Sequence, residues 1–162
     1  MNVSSPPAGD LDRLDIAILE ILQNNNGTPQ RRIGEAVGLS APAVQRRIKR
    51  MEETGVIRAN VAIVDPARVG QPLIIVVTVE LENERADLID EAKRAFVAAQ
   101  EVQQCYYITG EADFLLIVVV PTMGEYEALT RRLFFKNANI KKFHTLVVMD
   151  CVKVSMRVPL PT

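Results

Sequence analysis

Two helix-like apolar patterns separated by nothing but Gly38-Leu39-Ser40 constrain this chain more than any other feature. So short a connection leaves no slack, and the helices on either side must cross sharply and pack on each other. Before the turn, Thr28 followed by Pro29 reads as an N-cap with proline at the first helical position, opening a short helix whose inner face is Ile33, Ala36 and Val37. After it, Ser40 caps a helix whose apolar stripe, Val44, Ile48 and Met51, keeps helical spacing until Gly55. Gly34 lies where the two backbones would come closest, and it lacks the Cβ that would hold them apart. A further helix precedes the pair, capped by Asp12 or Asp10, with Leu14, Ile18, Ile21 and Leu22 turned inward and an end at Asn24-Asn25-Asn26-Gly27. Three helices so joined form a helix-turn-helix domain.

The net charge of −1 argues against a generally basic nucleic-acid coat, yet Arg31, Arg32, Arg46, Arg47, Lys49 and Arg50 crowd into one stretch against the single acid Glu35. Such a run is often no more than a solvated helix face. Here it sits on the motif. At about 100° per residue, Pro42, Ala43, Arg46, Lys49 and Arg50 project opposite Val44, Ile48 and Met51, with Gln45 and Arg47 at the flanks. A helix of this kind suits the major groove of double-stranded DNA, where Gln45 can pair with adenine and Arg46 with guanine while Lys49 and Arg50 meet phosphates. Thr28, Gln30 and Arg31, at the positive end of the second helix, suit a further phosphate, and Ser40, Ala41 and Pro42 open the reading helix and complete the DNA-facing set.

Residues 56–63 read as a strand, and Asp65-Pro66, Gly70 and Pro72 punctuate a linker over 64–72. Beyond it the order is strand 73–81, helix 85–99, strand 102–109, strand 113–120, helix 124–135 and strand 143–154, a ferredoxin-like βαββαβ pattern. The first of these helices turns Leu88, Ile89, Ala92, Ala95, Phe96 and Ala99 to one side, and the second Tyr126, Leu129 and Leu133. The fold class is therefore α+β: a helix-turn-helix domain over 11–63, then a ferredoxin-like domain over 73–157, with tails at 1–10 and 158–162. In Leu115-Leu116-Ile117-Val118-Val119-Val120 both alternating faces are apolar, as they are in 73–77 and 146–148. Two helices on the same side cover one face only. The other is better buried against a second copy, which predicts a homodimer and two reading helices in two-fold register.

The N-terminus lacks the basic and apolar regions of a secretory signal, and the longest apolar run, 114–120, is closed by Pro121 and too short to span a bilayer as a helix, so a cytoplasmic protein is expected. Cys105 and Cys151 lie in apolar, strand-like segments without CxxC spacing and read as reduced, buried thiols. His144 is the only histidine and has no ligand-spaced companions, so no metal site is expected. There is no phosphate loop, nucleophile elbow or base beside a nucleophile, and hence no enzyme to propose.

The segments Leu11-Asp12-Arg13-Leu14-Asp15-Ile16-Ala17-Ile18-Leu19, Gly38-Leu39-Ser40, Val44-Gln45-Arg46-Arg47-Ile48-Lys49-Arg50-Met51-Glu52 and Gly55-Val56-Ile57 resemble the Lrp/AsnC (feast/famine) family in order and spacing. The likeness runs from about Leu11 to Met156. Gly34 stands where the family more often has alanine, Ala41-Pro42 make the start of the reading helix idiosyncratic, Thr122 replaces a frequent aspartate, and Asn139 replaces a glycine, a position where asparagine tolerates the left-handed conformation. The resemblance implies a transcriptional regulator whose C-terminal RAM-type domain binds a small-molecule amino acid at oligomer interfaces and joins dimers further, often into octamers. Gly110 and Asp113, by themselves ordinary hairpin residues, become through the resemblance the receptors of an α-carboxylate and an α-ammonium. Carried over position by position, the effector surface adds Tyr107, Thr109, Met123, Leu146, Val147 and Val148, and no cofactor is implied. The alternative is an architectural DNA-wrapping protein with little sequence or effector specificity.

Overall fold

A computed structural model describes residues 11–161, and in it the chain divides between Ala62 and Ile63 and again between Lys153 and Val154. The tail expected over 1–10, and Asp10 as a cap, lie outside the described residues.

In the first unit, helix α1 (Arg13–Asn24) begins at Asp12, whose carboxylate accepts the backbone N–H groups of Leu14 and Asp15 at 2.9 Å each, while the Asp15 carboxylate accepts the Asp12 N–H at 3.1 Å. This reciprocal box satisfies donors that a bare helix end would leave open. Helices α2 (Gln30–Val37) and α3 (Ala41–Glu53) follow, and Ile18, Leu19, Ile33, Val44 and Met51 form a common core. Each such side chain contributes roughly 1.5–3 kcal/mol on full burial. Gly38 takes a φ of 73° and turns the chain into the Leu39 step. At Gly34 a Cβ would lie 2.3 Å from the Leu39 carbonyl oxygen, so the turn has closed onto the backbone of α2 as only glycine permits.

Three expectations for this unit are corrected. The Thr28 hydroxyl donates to the Asn25 carbonyl at 2.7 Å instead of capping α2; Pro29 holds the cap position, its carbonyl accepting the Ile33 N–H at 3.1 Å. Ala36 is exposed because Gly34 takes the inward place beside Ile33. Residues 56–63 form no strand: a strand exists only by ladder pairing, no described segment lies alongside, and Val61 is left 72% exposed.

Residues 154–161 pack with α1, where the sequence pattern suggests the end of the second domain over 154–157 and a tail from 158. Gln23 donates to the Val158 carbonyl at 3.1 Å and accepts the Val158 N–H at 2.8 Å, so its side-chain amide imitates a strand rung. Arg157 reaches Asn24 at 2.7 Å and Glu20 at 3.1 Å, and Leu160 packs onto the helix-turn-helix core. The tail alternates Val154, Met156, Val158 and Leu160 with Ser155, Arg157, Pro159 and Pro161, a pattern that names no partner. Leu160→Ala should lower the stability of this unit by about 1–2 kcal/mol, below the cost at a fully buried leucine because Leu160 is only half-buried. Chemical denaturation followed by helical circular dichroism measures it, and an unchanged midpoint would mean that the tail contributes nothing.

In the second unit, β1 (Leu73–Leu81), α4 (Ala86–Ala98), β2 (Val102–Tyr107), β3 (Phe114–Val120), α5 (Met123–Thr130) and β4 (Ile140–Val147) build an antiparallel sheet in the order β2-β3-β1-β4. Central β1 pairs Ile75 with Val118 and Val147, and Val79 with Phe114 and Phe143. Its inward residues Ile75, Val77, Val79 and Leu81 join Phe114, Leu116, Val118 and Val120 of β3 beneath Ala92 and Phe96 of α4 and Tyr126 and Leu129 of α5. Phe96 stands edge-on to Phe114 and Phe134 with centroids 5.2 and 6.1 Å away. Helix α5 continues through a wider π-type turn at Arg131–Phe135, which brings Leu133 and Phe134 into the same core.

The last strand starts at Ile140 and stops at Val147, short of the expected 154. Val148 still donates to Ile74 at 2.9 Å, but beyond it β1 has only Leu73, preceded by Pro72, which carries no N–H to donate. Cys151 is consequently exposed, and Cys105 half-buried, instead of both being buried. Asn139 does not adopt the left-handed conformation, since no described residue other than glycine has positive φ; its side chain instead accepts the Asn83 N–H and donates to the Asn83 carbonyl, both at 3.0 Å. Thr122 accepts the Glu125 N–H at 3.2 Å and caps α5, a task that aspartate performs equally.

Candidate functional site

Helix α3 is pinned by Val44 and Met51, both fully buried, and its first turn is capped by Ser40, which accepts the Ala43 N–H at 3.4 Å. That anchoring leaves Pro42, Gln45, Arg46 and Lys49 exposed along the opposite side. Leu39, Ala43, Arg46, Arg47 and Arg50 line an open depression of about 410 Å³, and Pro29, Arg31, Arg32 and Glu35 line another. Arg31 pairs with Glu35 at 3.1 Å and Lys49 with Glu53 at 3.7 Å. These are solvent-exposed helical pairs that a phosphate can displace at little cost. Arg46 forms no ion pair among the described residues.

Arg47 and Arg50 are differently placed. Asp15, fully buried, accepts from Arg47 at 2.9 Å and also from Arg50, while Asp12 accepts from the same Arg47 nitrogen at 2.7 Å. Arg50 does face outward, its side chain 50% exposed, but it also reaches back to Asp15, whose signal was an acid in line with the inward positions Ile18 and Leu22 of α1. The backbone N–H of Asp15, and then the Arg47 guanidinium, hold the Asp12 carboxyl below the ordinary aspartate range. Asp12 and then Asp15 raise Arg47. Because the shift at Asp12 is downward, this cap contributes in full above the ordinary aspartate pKa and is lost as acid protonates it.

The expected effector residues fall into two groups. Tyr107 ends β2, and Thr109, Gly110 and Asp113 lie in the hairpin to β3, where Gly110 has a φ of 129°. The ring of Tyr107 contacts Phe114 at 5.1 Å and carries the Lys93 ammonium 4.9 Å from its centroid. Asp113 donates its N–H to Val79 at 2.9 Å, and its carboxylate accepts the Leu81 N–H at 2.6 Å, finishing the end of β1. Met123, Leu146, Val147 and Val148 sit at the other end of the sheet, where β3 has reached Val120 beside Leu73 and Val148 bonds to Ile74. At about 3.3 Å per residue, the length of β3 separates Asp113 from Met123 by roughly 20 Å. Nothing within one protomer closes that gap.

The face of the sheet away from α4 and α5 carries Ile74, Val76, Leu115, Ile117, Val119, Tyr106 and Leu146. Tyr106 and Leu146 are 50% and 57% exposed. The burial of β3 alternates strictly, its other residues being buried beneath the helices.

Among the described residues no group of three or more His, Cys, Asp or Glu side chains is arranged to hold a metal, and no helix is long and apolar enough to cross a membrane. Burial pushes the Cys105 thiol up, with Lys93 opposing.

A basic reading helix on a helix-turn-helix unit, followed by a ferredoxin-like domain, defines a class of two-domain transcriptional regulators. Residues 11–58 match the winged helix-turn-helix DNA-binding family and residues 74–158 the Lrp/AsnC ligand binding domain. The chain is 48% identical over 153 residues to an HTH-type transcriptional regulator of Sinorhizobium fredii, covering 94% of this chain and 90% of that one. It is 30% identical over 156 residues to the leucine-responsive regulatory protein of Escherichia coli, covering 96% and 95%. An AsnC family transcriptional regulator from Agrobacterium tumefaciens superposes with a TM-score of 0.86 at 32% identity, covering 92% and 97%. A Neisseria meningitidis transcriptional regulator, solved as a complex with L-methionine, superposes at 0.85 with 26% identity, covering 92% and 96%. This chain belongs to the Lrp/AsnC family of transcriptional regulators, not to an enzyme family.

Proposed function

We propose that this protein acts in the cytoplasm as a sequence-specific regulator that reads a two-fold symmetric DNA site as a dimer and answers to an amino acid held between copies of its C-terminal domain. The reading helix is α3. Gln45 and Arg46 address base edges, Lys49 the backbone, and the start of the helix at Ser40, Ala41 and Pro42 sets its approach. Thr28, Gln30 and Arg31 hold a phosphate at the entry of α2. The observation that carries the reading is the outward guanidinium of Arg46, without an ion pair among the described residues, on a helix pinned on its opposite side by the fully buried Val44 and Met51.

Arg46→Ala should cost about 1–3 kcal/mol of operator affinity and relax base preference at one position per half-site, while Lys49→Ala weakens binding evenly across sequences. Binding selection from random duplexes measures both. An unchanged preference in Arg46→Ala would remove it from base readout.

The effector is an α-amino acid. The hairpin loop at Gly110 offers backbone N–H groups to its carboxylate and Asp113 its remaining lone pairs to the ammonium, and Met123, Leu146, Val147 and Val148 of another copy close around the side chain. Support comes from the separation of the two groups within one protomer, which only a second copy can bridge, and from the L-methionine complex of the Neisseria relative. Apolar lining from Met123 and Leu146 favours an apolar or aromatic effector. Dimers associate further, to an octamer. Little sequence preference together with no effector response would favour the architectural alternative.

A further inference from the structure

We propose that Asp15 is a positioning residue of the reading helix: it withholds Arg47 and Arg50 from DNA, so that Arg46 and Lys49 set the cationic face of α3. The inference rests on α3 being the helix that meets DNA. Asp15 is 0% exposed, and its carboxylate is engaged by Arg47 at 2.9 Å, by Arg50, and by the Asp12 N–H at 3.1 Å. Asp12 adds a second acceptor for Arg47 at 2.7 Å. The charge of one acid thus lies between two of the four basic side chains of α3.

The pair differs in kind from the others on this helix. Lys49–Glu53 is a surface contact with both side chains more than half exposed, which salt or a phosphate breaks freely. Asp15 has no water to return to, so freeing either guanidinium strands part of a buried negative charge. A phosphate competing for Arg50 or Arg47 meets that penalty, whereas one approaching Arg46 does not. The arrangement also ties α1 to α3 through its capping box, fixing how the reading helix is rotated about its own axis. Specificity gains on both counts. Fewer mobile cations act on the uniform phosphate backbone, and Gln45 and Arg46 are held at one angle to the base edges.

The test measures affinity of the full-length protein for a selected operator duplex and for a random duplex across a salt series, with melting curves to confirm folding. Asp15→Asn keeps the acceptor toward Asp12 and removes the charge. It should steepen the dependence of log affinity on log salt by about 0.9 for each guanidinium released. Between 50 and 200 mM salt that is a roughly 3.5-fold larger loss for one guanidinium. It should also lower the operator-to-random affinity ratio. A folded Asp15→Asn protein with the wild-type slope and ratio would overturn the proposal, because a purely structural role would reduce all binding together and leave the slope alone. Arg50→Gln decides the matter if Asp15→Asn fails to fold: the wild-type slope is expected, and a slope shallower by about 0.9 would show that Arg50 contacts phosphate and overturn the proposal. Arg46→Ala checks the underlying placement of α3 separately, since it alters base preference whether or not Asp15 withholds its partners.

Discussion

Ile117→Lys should convert the assembled protein into monomers with no measurable loss of the monomer's own fold. Ile117 sits in the centre strand pair, opposite Val76, on the sheet face that neither α4 nor α5 covers. Its neighbours Ile74, Val76, Leu115, Val119 and Leu146 form an apolar cluster on that face beside Gln104, Thr78 and His144, and at roughly 25 cal/mol per Å² such a surface gains most by meeting another like it. A two-fold axis would bring Ile117 close to its own copy, so the substitution buries like charges together. The desolvation alone costs about 3 kcal/mol or more per copy, weakening self-association by at least a hundredfold on the order of tenfold per 1.4 kcal/mol. Within a single chain the lysine can reach water, so the melting temperature of the monomer changes little. Sedimentation velocity reads the outcome. An Ile117→Lys protein that sediments like wild type would place the assembly elsewhere, and DNA binding by the monomer should fall steeply because one half-site replaces two.

One or more of the proteinogenic amino acids should raise the melting temperature of the wild type by several degrees. A ligand at 100 times its dissociation constant stabilises the native state by about 2.7 kcal/mol. The substitution that tests recognition is Asp113→Asn, because alanine would also strip the acceptor from the Leu81 N–H and cost about 1–3 kcal/mol for reasons unrelated to ligand. Asparagine preserves that hydrogen bond and removes only the charge offered to the ammonium. The thermal shift should disappear in Asp113→Asn, and also in Met123→Asp, although the two residues lie at opposite ends of the sheet. Mixed and reassembled, the two variants should regain part of the response, since some interfaces then combine an intact hairpin from one copy with an intact Met123 end from another. Absence of any shift across the amino acids would defeat the sensing assignment, and absence of recovery in the mixture would defeat its placement between copies.

The helix-turn-helix was legible because its signals are local: Ser40 caps whatever helix follows it, Gly38 accepts a left-handed turn, and Val44 and Met51 repeat at helical spacing. The βαββαβ order was legible for the same reason, through the short apolar run of β3 closed by Pro121 and the stripes of α4 and α5. Strand ends were less so. The apolar pattern of the last strand continues beyond Val147, but pairing stops near the start of β1, and pattern alone cannot see the length of a neighbour.

Along the chain, sequence by itself determined most of the residues that turn inward on the helices, Ala36 excepted, and that a basic helix would follow the turn, since both depend on spacing and side-chain type over a few residues. Tertiary structure alone decided that Asp15 would hold Arg47 and Arg50 across 32 and 35 residues of chain, and that Gln23 would pair with Val158 across 135. It also decided that Gly110 and Met123 would stand at opposite ends of one sheet. Contacts of that kind depend on how independently folded segments are brought together, and a charge or an amide carries no periodicity that announces its distant partner.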